Sequence, residues 1–124
     1  MNQVMLIGNL TRDPELRTTQ NGVSMCTMTL AVERRFSDKN GKRETDFIPV
    51  VVWRDAAEHC ARYLRKGSRA AVSGSLQVRA YTDSHDQRRT IAEVVAQDVQ
   101  FLSYAPVREP ATLQELEDDE PLPF

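Results

Sequence analysis

The stretch SMCTMTLAVERRF, residues 24–36, alternates with a strict period of two. Cys26, Met28, Leu30 and Val32 fall on one face, and Met25, Thr27, Thr29 and Ala31 on the other. Successive side chains of a β-strand point to opposite sides, whereas a helix brings residues three and four apart onto one face. The pattern therefore excludes an amphipathic helix and requires a sheet with one buried face. Asn21-Gly22, a hairpin-type turn signal, stands just before it.

The rest of the chain keeps to this theme. Residues 3–10 form a short apolar run with Val4, Met5, Leu6 and Ile7, and Asp13-Pro14 then favours a turn. SDKNGKRET, centred on Asn40-Gly41, is long enough for an extended hairpin arm, and DFIPVVVW is the strand that follows it. A helix is predicted to open at Asp55, with Glu58 three residues later as in a capping box. Ala57, Cys60, Ala61 and Leu64 form its buried stripe, and Gly67 is its stop. RAAVSGSLQVRAY and TIAEVVAQDVQFL are two more strands, joined by the polar tip TDSHDQRR. The order is three strands, one helix, two strands. That is the order of the OB-fold, a small Greek-key barrel, although other small α+β sheets share it.

A chain of 124 residues holds one domain, and 40% hydrophobic residues suffice for one core. Charge is divided unevenly: residues 1–108 carry a net +4, and residues 109–124 a net −6 with no Lys or Arg. The expected division is a domain over 1–104, a short disordered linker over 105–116 and an acidic tip over 117–124. Cys26 and Cys60 make no disulfide framework and read as reduced thiols. With no signal-peptide pattern and no apolar run of membrane-spanning length, a cytoplasmic location is expected, with no membrane partner.

Strand parity then sorts the aromatic side chains. In DFIPVVVW, Ile48, Val50 and Val52 share the core face, which leaves Phe47, Pro49, Val51 and Trp53 outside. Six residues place the two rings roughly 20 Å apart along one strand. In RAAVSGSLQVRAY the inward set is Val72, Gly74, Leu76, Val78 and Ala80, so Tyr81 lies outward with Ser73, Ser75, Gln77 and Arg79. Phe36 has core parity but follows Arg34-Arg35 where the strand enters the arm, and parity does not settle it. Exposed rings beside arginines suit single-stranded nucleic acid: rings stack on bases, and cations meet phosphates. Arg34, Arg35, Lys42, Arg54, Arg79 and Arg88 are the candidate phosphate contacts.

MLIGNLTRDPELR, NGVSMCTMTLAVERRF, DFIPVVVW, YLRKGS, SLQVRAYTD and TIAEVVAQDVQFL, in this order and spacing, resemble the bacterial single-stranded-DNA-binding protein family. The resemblance covers residues 1–103 and resumes at the extreme C-terminus. It implies an OB-fold core assembled as a homotetramer, with single-stranded DNA wrapped around it during replication, recombination and repair. It assigns base stacking to Phe36, Phe47, Trp53 and Tyr81. It further implies that the tip, with Asp118, Asp119, Glu120, Leu122, Pro123 and Phe124, recruits partner enzymes. An apolar ring bearing a carboxylate suits a pocket with a basic rim. Three departures stand out: a linker of about a dozen residues, Pro49 inside a strand, where an edge or bulge is expected, and Pro121 with Leu122 in the tip.

No cofactor or metal is expected. His59 beside Cys60, and His85 in a hairpin tip, lack ligand spacing, and no phosphate loop or nucleophile motif indicates an enzyme. Met5, Met25 and Met28 read as core or subunit-contact side chains. An RNA-binding or replication-restart OB protein, and an adaptor whose barrel only oligomerises, are the competing readings.

Overall fold

The computed structural model describes residues 1–103; the expected linker, acidic tip and disordered tail lie outside the described residues. Six strands and one helix follow in the order β1 (Val4–Leu10), β2 (Glu15–Thr18), β3 (Ser24–Ser37), β4 (Arg43–Trp53), α1 (Arg54–Tyr63), β5 (Arg69–Thr82) and β6 (Arg88–Phe101). The sheet order is β1-β5-β6-β4-β3-β2, and β1 also pairs with β3, which closes five strands into a barrel. The expected mainly-β barrel with one helix is present. β2 is an addition: ELRT carries no alternating apolar pattern, yet it pairs antiparallel with β3 through the Asn21-Gly22 turn.

Closure depends on two short seams. β1 meets β3 at Asn9–Ala31 and Leu10–Leu30. β4 meets β6 in parallel at Val50–Val94 and Val51–Val95. Inside, Cys26, Met28, Leu30, Val50, Val52, Val72 and Val94 are buried, and α1 closes one end with Ala57 and Cys60, joined by Leu64 just past its last turn. These are the period-two and helical-stripe residues that hydrophobic burial selects.

The helix differs from expectation at both ends. Its N-cap is Trp53, with no side-chain cap bond, and Asp55 lies within the first turn. Glu58 instead accepts a hydrogen bond from the Ser24 hydroxyl of β3 (3.2 Å), so the capping-box partner is engaged in tertiary contact. The helix ends at Tyr63, with Leu64 extended, because Leu64 drops into the core; Gly67 turns the chain only later, with φ +89°.

Pro49 meets its expectation in part. It pairs with Thr29 of β3, but β6 joins β4 only from Val50 onward, so at Pro49 β4 has an edge on that side. The inward assignment of Leu76, Val78 and Ala80 is overturned: all three are exposed. β5 and β6 remain paired as far as Thr82–Arg88, well beyond the barrel, where no second layer among the described residues covers either face. Val51, of outward parity, is buried all the same, between Thr27 of β3 and Val95 of β6.

Candidate nucleic-acid interface

Two hairpin arms define the surface of interest. β4 and β6 run parallel with Val50 beside Val94, so the stretches preceding these residues leave the barrel at the same end. One arm is β3–β4, turning at Asp38–Lys42; the other is β5–β6, turning at Asp83–Gln87. In each tip an aspartate accepts backbone N–H bonds: Asp38 from Asn40 and Lys42, Asp83 from His85 and Gln87. This local chemistry is why polar, turn-rich sequence forms defined tips.

Register places the rings. Thr27, Val51, Val95 and Ser75 form one cross-sheet row on the outer face. Counting in twos from that row puts Phe47 and Trp53 of β4 and Tyr81 of β5 on the same outer face. Their exposures are 65%, 39% and 43%. Phe36 is 83% exposed, the most open of the four. It sits where Arg34, Arg35 and Phe36 together occupy the place opposite Glu44, between the pairs Glu33–Thr45 and Ser37–Arg43. Both faces of the arm are open there, with residues 33–45 all exposed, which is why core parity did not bury the ring. The guanidinium of Arg35 lies 5.9 Å from the Phe36 ring centroid.

The candidate cations divide into two groups. Arg34 is bound by Asp46 and Glu44, and Arg79 by Glu93 (3.0 Å). Among the described residues, Arg35, Lys42, Arg54 and Arg88 make no ion pair. Arg54 occupies the left-handed region (φ 64°) at the corner from β4 into α1, next to Trp53. A non-glycine residue there costs about 1–2 kcal/mol. The hydrogen bond from Arg34, strengthened by its charge, holds the Asp46 carboxyl below the usual carboxylate range. Hydrogen bonds from Arg89 and from the backbone of Gln87 and His85 do the same for Asp83.

Two cations went unnoticed in the sequence. Arg43 and Arg69 line a polar cleft of about 340 Å³ with Asn9, Glu33 and Thr45. Arg69 bonds the Asn9 side chain, and Arg43 faces Glu33 at 3.6 Å. Only the β1–β3 seam brings these segments together, so no local pattern could have signalled the cleft. Among the described residues no group of three or more His, Cys, Asp or Glu is placed to hold a metal ion. No helix among them is long and apolar enough to cross a membrane.

Relatives carry the same domain. The chain is 54% identical over 102 residues to a protein of Halalkalibacterium halodurans named single-stranded DNA-binding protein, covering 82% of this chain and 61% of that one. It is 54% identical to single-stranded DNA-binding protein 2 of Listeria monocytogenes, covering 82% of this chain and 64% of the relative. It is 52% identical to single-stranded DNA-binding protein A of Bacillus subtilis, covering 82% and 59%. The matched region thus spans about three fifths of the length of these relatives. The model of the single-strand binding protein family matches residues 1–102, through both arms and the closing strand β6, and the chain belongs to that family.

Proposed function

We propose that this protein binds single-stranded DNA with little sequence preference and protects it during replication, recombination and repair, without enzymatic activity of its own. The observation that carries the reading is the outer sheet face, where Phe47, Trp53 and Tyr81 stand open between two arms rich in cations. Bases stack on these rings and on Phe36, each worth about 1–3 kcal/mol. Arg35, Lys42, Arg54 and Arg88, which have no carboxylate partner among the described residues, meet the phosphates. Family membership supports the same reading.

The division into a binding domain over 1–104, a linker over 105–116 and a partner-recruiting tip over 117–124 belongs to this proposal. So do a cytoplasmic, nucleoid-associated location and a homotetrameric assembly. Exposed Met5 and Ile7 on one face of the β1–β5 pair, and exposed Leu76 and Val78 on the other face of β5, support self-association, since apolar side chains left in water favour burial in a contact.

Trp53 is the single tryptophan, so its fluorescence reports directly on the site. Titration with oligothymidine should quench it, and Trp53→Ala should lower affinity while leaving the fold intact. No quenching and no mobility shift would remove the reading, and equal affinity for RNA would redirect it.

A further inference from the structure

The β3–β4 arm has two unlike faces. On β4, Thr45 and Phe47 alternate with Glu44 and Asp46, so the two carboxylates lie on the side away from the Phe47 ring. Arg34 is held on that side. Its Nε and Nη2 donate to the two Asp46 carboxylate oxygens at 3.0 Å each, and its Nη1 lies 2.9 Å from Glu44 Oε2. The fork that a phosphate would occupy is already filled in bidentate geometry. One guanidinium between two carboxylates leaves a local charge of −1, so an arriving phosphate would have to displace Asp46 and remain beside both acids.

The position of the cluster gives it a task. Beside it the ladder is interrupted, because Arg34, Arg35 and Phe36 bulge opposite Glu44. Arg34 bridges the two strands across that gap. We propose that Arg34 is a positioning residue and not a phosphate ligand: with Asp46 and Glu44 it braces the bulged arm and keeps the DNA backbone off this face. The strand is thereby directed to the Phe47 side. This rests on the single-stranded DNA reading given above.

The test is the salt dependence of oligothymidine binding by the full chain. Each phosphate contact with a single strand adds about 0.7 to the slope of log affinity against log salt. Arg34→Gln should lower affinity by the same factor at every salt, roughly two- to fivefold, with the slope unchanged. Asp46→Asn with Glu44→Gln should steepen the slope by about 0.7, since the freed fork now takes a phosphate. Adding Arg34→Gln to that pair should abolish the gain. All three side chains are exposed, and thermal midpoints check that the variants fold. A wild-type slope that falls by about 0.7 on Arg34→Gln alone overturns the assignment, as does a slope unmoved by removing both acids. Absence of wild-type binding overturns this and the parent reading together, whereas binding with a shallower Arg34→Gln slope overturns this assignment alone.

Discussion

Replacing Gly74 by Ala tests the barrel at its tightest point. Gly74 is buried where β5 shifts register against β6, between the pairs Ser73–Asp98 and Gly74–Ala96. A Cβ there would lie 2.0 Å from the Val95 carbonyl oxygen, 2.8 Å from its carbon and 2.9 Å from Ala96 Cα. All three atoms are backbone, so no side chain can rotate away. Ordinary contact begins near 3.4 Å, and β6 would have to retreat by more than an ångström. Val95 also pairs with Val51, one of two pairs in the β4–β6 seam, so a retreat loosens the closure itself. Losing about two backbone hydrogen bonds costs ~1 kcal/mol each, and residual overpacking adds ~1–3 kcal/mol. Restricting the unfolded chain returns ~0.4–1 kcal/mol. The net loss is about 2–4 kcal/mol, a large part of the 5–15 kcal/mol typical of a domain.

Urea unfolding followed by Trp53 fluorescence, at equal protein concentration for both chains, is the assay. With a slope near 2 kcal/mol/M, the midpoint should fall by roughly 1–2 M. A Gly74→Ala protein within about 0.5 kcal/mol of wild type would show that the register shift is not a steric necessity, and the account of how the second arm leaves the barrel would fail with it.

Phe36→Ala should weaken oligothymidine binding by roughly 5- to 150-fold, the loss of one stacked base, with the thermal midpoint unchanged because the ring is exposed; fluorescence titration and calorimetry check both halves. Burial pushes the Cys26 thiol up to about 11 and the Cys60 thiol up to about 12. Stability should therefore hold below their ordinary value of about 9 and fall as pH rises through 11–12, a decline that Cys26→Ala with Cys60→Ala should flatten in urea midpoints. The same thiols should resist alkylation at pH 8 until the protein unfolds. Asp46 and Asp83 are depressed by Arg34 and Arg89, so their contribution to arm order is present above the ordinary carboxylate pKa and lost as pH falls through the lower folded value. Carboxyl-carbon NMR titrations should give midpoints below about 3.9 for both.

The alternation of Cys26, Met28 and Leu30, and of Val50 and Val52, made the barrel strands legible in the chain alone, because period two has one physical solution when one face is buried. The outward parity of Phe47, Trp53 and Tyr81 was legible for the same reason. What local pattern could not supply was the extent of the second layer. Leu76 and Val78 continue the inward parity of Val72, but burial requires something to pack against, and β5 has by then passed the barrel rim. Phe36 keeps core parity but lies on an arm that has left the barrel, where residues 33–45 are all exposed, and in a bulge visible only in the pairing of β3 with β4. Charge behaved likewise. The sequence displays six candidate cations as equals, and tertiary contact alone separates Arg34, held by two carboxylates, from Lys42 and Arg88, which face water. Periodicity is a property of one segment, whereas layers, bulges and ion pairs join segments distant along the chain, so they exist only once the barrel has closed.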